Sequence, residues 1–166
     1  PRTDNGILDR TTYTYHPVST EHVRQGDLAS ITNAAGQTTT FTQYDPHGRV
    51  LKSTDAYGMT TLNTYHARGW LLSSKRIPAG IAPDTIQANT FEYDATGQIT
   101  KATLPKGSSV TYHYDAAHRL TGMTDTVGNS ITYTLDAMGN RLQEHTKDPK
   151  GAEEGENFHD RRAVIS

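Results

Sequence analysis

Residues 43–50 read QYDPHGRV and crowd Tyr44, Asp45, His47 and Arg49 together. A carboxylate, an imidazole, a phenol and a guanidinium at that spacing are the materials of proton transfer and anion binding. An active site, however, is an asymmetric constellation met once in a chain. This phrase comes back: YDPHG at 44–48 recurs as YHARG at 65–69, YDATG at 93–97, YDAAH at 114–118 and LDAMG at 135–139. Its members are not equally kept. His47 is replaced by Arg68, Thr96, Ala117 and Met138, so no imidazole is demanded there. Arg49 is matched by Arg119 but not by Trp70 or Gln98.

The elements that carry the phrase follow from its spacing. Tyr44 to Tyr65, Tyr93 to Tyr114 and Tyr114 to Leu135 are each 21 residues, while Tyr65 to Tyr93 is 28. The seven extra residues fall around 77–88, a Pro/Gly/Ala-rich loop by composition. A second phrase interleaves with the first as NAAG at 33–36, DAYG at 55–58, LPKG at 104–107 and DTVG at 125–128. Gly26 stands ten residues before Gly36, which makes VRQG a degenerate first-phrase turn. Each unit therefore holds two turns.

Asp-x-x-Gly explains its own residue types. The Asp side chain accepts from a backbone N–H two residues on, and the Gly takes the left-handed corner that closes a hairpin. The expected turn residues are Asp45, Gly48, Asp55, Gly58, Asp94, Gly97, Gly107, Asp115, Asp125, Gly128, Asp136 and Gly139. Subtracting them leaves strands of about six residues, roughly 20 Å long. SVTYHYD and SITYTLD show the period-two alternation of strands with one buried face, with Val110, Tyr112 and Tyr114 matched by Ile131, Tyr133 and Leu135. TTTFTQYD carries one extra residue between Phe41 and Tyr44, which predicts a β-bulge. In the strand after the first phrase, Lys52, Ser73, Lys101 and Gly122 are expected on the same face as Val50, Leu71, Ile99 and Leu120. Tyr44, Tyr65, Tyr93, Tyr112, Tyr114 and Tyr133 are expected to form rows that register neighbouring strands. The fold expected is all-β, an antiparallel meander of about ten strands, two per repeat, with no helix.

Composition bounds the rest. The chain has 166 residues, no cysteine and a formal net charge of −2. Disulfides and thiolate metal sites are excluded. Lys and Arg are dispersed, so there is no electrostatic footprint for nucleic acid. No apolar run is long enough for a helical membrane span. Hydrophobic residues are 33% and mean hydropathy is −0.70, low for a thick two-layer core. The chain begins with Pro1 and is read as an internal fragment or a processed chain.

YDPHGRVLKSTDAYG (44–58), NAAGQTTTFTQYD (33–45), YDATGQITKATLPKG (93–107) and LDAMGNRLQE (135–144) resemble the YD, or Rhs, repeat. That family includes bacterial Rhs toxins, the C components of insecticidal toxin complexes and the teneurins. The resemblance spans roughly residues 26–146. It departs from the pattern at His66, His118 and Leu135, which stand for Asp, Gly and Tyr. It implies a long β-sheet spiralling into a hollow shell, of which this chain would be a curved patch. The domains expected are a degenerate leading repeat with an insertion at 1–25, repeats over 26–150 and a charged tail at 151–166. The implied function is non-enzymatic, a segment of a shell that encapsulates a toxic C-terminal effector. The implied partners are the rest of the shell, the toxin domain and the machinery that secretes or delivers it from a bacterial cell. An adhesion or carbohydrate-binding repeat module at a cell surface is the alternative.

Sharper chemistry has less support than that construction role. His113 and His118, like His16 and His22, have no zinc-site spacing, so no metal and no cofactor are expected. Equivalent Asp residues repeated once per unit lack the asymmetry of a catalytic pair. KDPKG at 147–151 resembles part of an Rhs self-cleavage signature, Asp-Pro-x-Gly-Leu, but Ala152 stands where Leu is needed. It reads as an ordinary turn.

Overall fold

The computed structural model describes residues 10–149. The tail at 151–166, residues 1–9 and the end of KDPKG lie outside them. The chain divides into two compact units, the first ending at Ala88 and the second beginning at Asn89.

The first unit is a six-stranded antiparallel meander: β1 (Thr12–Tyr15), β2 (Leu28–Thr32), β3 (Thr38–Tyr44), β4 (Val50–Thr54), β5 (Thr60–Tyr65) and β6 (Leu71–Ile77). A short 3-10 turn, Pro83–Thr85, lies in the inserted loop. The second unit repeats the plan with β7 (Asn89–Tyr93), β8 (Ile99–Thr103), β9 (Ser109–Tyr114), β10 (Leu120–Asp125), β11 (Ser130–Leu135) and β12 (Arg141–Lys147). The fold is all-β and every pairing is between neighbours in sequence within each unit. The described residues hold twelve strands rather than about ten, because β1 and β12 pair at the ends as well.

Register assigns side chains to faces, since directly paired residues share one. In the second unit Tyr112, Met123 and Ile131 line up across β9, β10 and β11. Tyr114 pairs with Leu120, and Tyr93 with Ile99. Tyr112 and Tyr133 thus share one aromatic face, and the other face is polar, with Thr111, Thr124, Ser130, Thr132 and His113. No second layer covers the aromatic face among the described residues of either unit, and its side chains stay half-buried. Among the described residues the buried apolar ones are Val23 and Ile77.

The strand after each first-phrase turn differs from the expectation. Tyr114 pairs with Leu120 and His113 with Gly122, so Thr121 is an extra, unpaired residue. The same slip leaves out Ala29, Leu51, Leu72, Thr100 and Leu142. A bulge therefore recurs at the second position of each of these strands. It inverts the alternation, placing Lys52, Ser73, Lys101 and Gly122 on the face opposite Val50, Leu71, Ile99 and Leu120. The cross-strand pair Lys101–Glu92 at 3.9 Å lies on that opposite face. The extra residue foreseen between Phe41 and Tyr44 is a further bulge, at Thr42.

The inserted loop has a local role. Leu62 and Ile77 lie on the face opposite Tyr65, and so does Lys75. Lys75 Nζ donates to the Pro83 carbonyl at 3.2 Å, turning the loop back over that face. Ala79 packs against the DAYG turn so closely that a Cβ on Gly58 would lie 2.9 Å from its own.

Candidate functional site

The residues that opened the sequence reading lie in a row of turns. In each first-phrase turn of the type Asp-x-x-Gly, one carboxylate oxygen accepts two backbone N–H groups. Asp45 Oδ1 takes those of His47 and Arg49 at 2.8 and 3.0 Å. Asp94, Asp115 and Asp136 take the matching pairs, Thr96 and Gln98, Ala117 and Arg119, Met138 and Asn140. Gly48, Gly97 and Gly139 sit at positive φ between them. The second-phrase turns behave alike at Asp55 and Asp125, while Asn33 does the same with its amide oxygen. Gly58, Gly107 and Gly128 are their left-handed corners.

The other carboxylate oxygen meets the residue after the Gly. Arg49 Nε bonds Asp45 Oδ2, and Arg119 Nε bonds Asp115 Oδ2 at 2.7 Å. Asn129 and Asn140 donate their amides to Asp125 and Asp136 in the same place. These contacts set the acidity of the carboxyls. Burial pushes Asp45 up, but the Arg49 N–H, its guanidinium and the His47 N–H outweigh it and hold the group below the usual range. Thr96 lowers Asp94, the Arg119 N–H lowers Asp115, and the amides of Asn129 and Asn140 lower Asp125 and Asp136. A carboxyl held ionised in this way is a poor general base.

The same side chains then reach the next turn. Arg49 Nη1 donates to the His66 carbonyl at 3.1 Å, and Arg119 Nη1 to the Asp136 carbonyl at 2.7 Å. Gln98 Nε2 donates to the His118 carbonyl at 2.7 Å. The sequence reading missed this. Arg49 was matched only with Arg119, because Gln98 is not an arginine; yet Gln98 also reaches the next turn, at the carbonyl of its fourth residue, where the arginines reach that of its first. The signal available was narrower: a long donor side chain directly after the turn's fourth residue.

The tyrosines add a second tie. Tyr44, Tyr65 and Tyr114 donate their hydroxyls to the Leu28, Val50 and Ile99 carbonyls at 2.6, 3.3 and 2.9 Å. Each acceptor is the first residue of the neighbouring strand, just before its bulge. Burial, and then the charge of Asp27, raises the Tyr44 phenol; burial, then Tyr112 and Asp94, raises that of Tyr114. Tyr112 faces Met123, Tyr93 faces Ile99, and Arg141 lies over the Tyr133 ring at 4.1 Å.

Two of the departures from the pattern are accommodated locally. His66 replaces the Asp cap, and its Nδ1 accepts the Arg68 N–H at 3.1 Å. His118 stands in the Gly position at φ 63, and its Nδ1 bonds Gln98 Oε1 at 2.8 Å. VRQG ends a first-phrase turn enlarged by an insertion, since Gly26 N–H donates to the His16 carbonyl as Gly48 N–H does to that of Asp45. There Asp27, after the Gly, reaches back to the Arg24 N–H, and His16 N–H donates to the Asp27 carbonyl to close a longer loop.

The model of the family described as RHS Repeat matches residues 24–61 and 93–130. Those two stretches are similar to RHS repeats. The fold is shared with solved toxin complexes. In the crystal structure of TcdB2–TccC3–Cdc42 the matched chain is 23% identical, with a TM-score of 0.61 over 82% of this chain and 7% of that one. The crystal structure of TcdB2–TccC3 without its hypervariable C-terminal region gives 21% identity and 0.60 over the same shares. The Photorhabdus luminescens Tc holotoxin pore gives 18% and 0.54, over 78% of this chain and 9% of that one. The chain thus spans under a tenth of the length of the chains it matches. No curated protein matches the chain by sequence. Among the described residues no cluster of three His, Asp or Glu could hold a metal ion.

Proposed function

We propose that this chain is a non-enzymatic segment of an RHS-repeat shell wall that encloses a toxic C-terminal effector domain. The observation behind it is where the polar groups of the turns go. Asp45, Arg49, Gln98, Asp115 and Arg119 spend their hydrogen bonds on their own turn and on the next one. A row of such turns fixes one repeat on its neighbour and offers a wall, not a reaction centre. The shared fold with TccC3-containing toxin structures supports the same reading. Residues 26–150 would be the repeats of the wall and 1–25 a degenerate leading one. The partners are the rest of the shell and its cargo, delivered from a bacterial cell.

The test uses the whole reading frame that contains these repeats. The segment C-terminal to the repeats should resist protease until the repeats themselves are cut. Digestion of that segment at the rate of its isolated form overturns the enclosure. An autoprotease instead requires a chain cleavage that Asp148→Asn stops, and none is expected. Adhesion has one observation in its favour: Tyr13 and Tyr15 are 54% and 59% exposed. Glycan-array binding lost in Tyr15→Ala, with folding intact, would select it.

A further inference from the structure

We infer that the inserted loop is a proteolytic processing site, cut at Gly80–Ile81 by an endoprotease that accepts small and aliphatic side chains. The observation is an unbroken run of exposed residues, 78–85, and among the described residues no other exposed run is as long. Ile81, in the middle of it, is 45% exposed. A protease cleft takes its substrate extended over several residues, so it enters at loops of this kind.

The hydrogen bonds of the loop are local. The Ile81 N–H donates to the Pro78 carbonyl at 3.2 Å, and those of Thr85 and Ile86 donate to Ala82 and Pro83 at 3.2 and 3.3 Å. Its tie to β6 is the bond from Lys75 Nζ to the Pro83 carbonyl, and Ala79 is held against the Gly58 turn. The stretch after Ala79 can therefore open without breaking a strand pairing, and such local openings are what a protease samples.

Similar side chains lie exposed elsewhere and are protected. Val127 and Met138 are 68% and 86% exposed. Both sit in Asp-x-x-Gly turns, where Asp125 and Asp136 hold their N–H groups and those of Asn129 and Asn140. Val18, 62% exposed, lies in the loop before β2. That loop is pinned to β3, since the His22 carbonyl accepts the Tyr44 N–H at 2.8 Å and Val23 is buried.

Composition selects the class of enzyme. Residues 77–88 read IPAGIAPDTIQA and hold no Lys or Arg, so a trypsin-like protease has nothing to grip. A proline ring crowds the bond before it, which protects Ile77–Pro78 and Ala82–Pro83. Gly80–Ile81 lies between them, with small residues on one side and an aliphatic one on the other. Hydrolysis breaks that C–N bond: the hydroxyl of water goes to the Gly80 carbonyl carbon and its proton to the Ile81 nitrogen. The position spares the fold. β1 to β6 stay on one piece and β7 to β12 on the other, so the cut severs no hairpin within either unit.

Thermolysin, which cuts before large aliphatic residues, is the probe. The whole chain and Ile81→Asp are digested briefly in water and in about 1 M urea, and the pieces are identified by mass. Among residues 10–149 the first cut should fall at Gly80–Ile81. Its rate should be nearly unchanged by the urea, because a local opening exposes little surface. Ile81→Asp should slow that cut about tenfold or more. A first cut in an Asp-x-x-Gly turn or in the loop before β2 overturns the site, and so does no cut among residues 10–149. A Gly80–Ile81 cut that accelerates with urea as global unfolding does, or that Ile81→Asp leaves unchanged, overturns it too. The outcome is independent of whether the wall encloses a cargo.

Discussion

Tyr114 and Arg119 show how single side chains can hold one repeat to another. The Tyr114 hydroxyl spans from β9 to the Ile99 carbonyl on β8 at 2.9 Å. Tyr114→Phe removes only that bond and should cost about 1 kcal/mol in urea unfolding. Arg119 bonds Asp115 with Nε and the Asp136 carbonyl with Nη1, a fork that an ammonium cannot reproduce. Arg119→Lys keeps the charge and should still cost about 1 kcal/mol by the same measurement. No loss would mean that charge alone matters there. At this scale the Asp-x-x-Gly corners were legible in the sequence, because a turn's demands are local and the same residue types meet them each time. The ties between turns were not, because a carbonyl accepts from any N–H. Arg49 and Arg119 reach the first carbonyl of the next turn and Gln98 the fourth, and an eye for identical residues passes over ties that vary in both donor and acceptor.

At the scale of strands, alternation revealed β9 and β11 but not the bulges at Leu51, Leu72, Thr100 and Thr121. A bulge leaves no compositional mark when its residue is Leu in one copy and Thr in the next. It is visible only in the pairing register. This is why Gly122 was assigned to the wrong face. In the structure it is buried against β11, and a Cβ there would lie 2.6 Å from the Ile131 carbonyl oxygen. That contact is with backbone, which yields less readily than a side chain. Gly122→Ala should therefore destabilise by about 1–3 kcal/mol, read as a lower urea midpoint. The inserted loop at 77–88 was placed by arithmetic alone. It is tied back to β6 by Lys75 donating to the Pro83 carbonyl, a contact that no periodicity encodes.

For the whole molecule, five aspartates with pKa values held below the usual carboxylate range make acid a general stressor. A carboxyl with a lowered folded-state pKa takes up its proton later than it does in the unfolded chain. Its contribution is therefore fully present above the unfolded value of about 3.9 and is lost as pH falls through the folded one. Asp45, Asp94, Asp115, Asp125 and Asp136 all have this sign. The urea midpoint should fall below about pH 4. A midpoint that held level to pH 2 would contradict the caps as described.

The bulge has one more consequence, in how such a chain can lengthen. A period of 21 is odd, and strict alternation would send the next copy's tyrosine to the wrong side. One unpaired residue per copy leaves an even number, so Tyr65 arrives on the face that Tyr44 occupies. The copy from Leu28 to Val50 is 22 residues long, and it carries two, Ala29 and Thr42. Sidedness is thus conserved by parity in the copies of 21 and 22 residues, so such copies can be duplicated or deleted in tandem without disturbing the strands that follow in the same unit. A one-residue deletion that left the bulges intact would turn every later strand inside out.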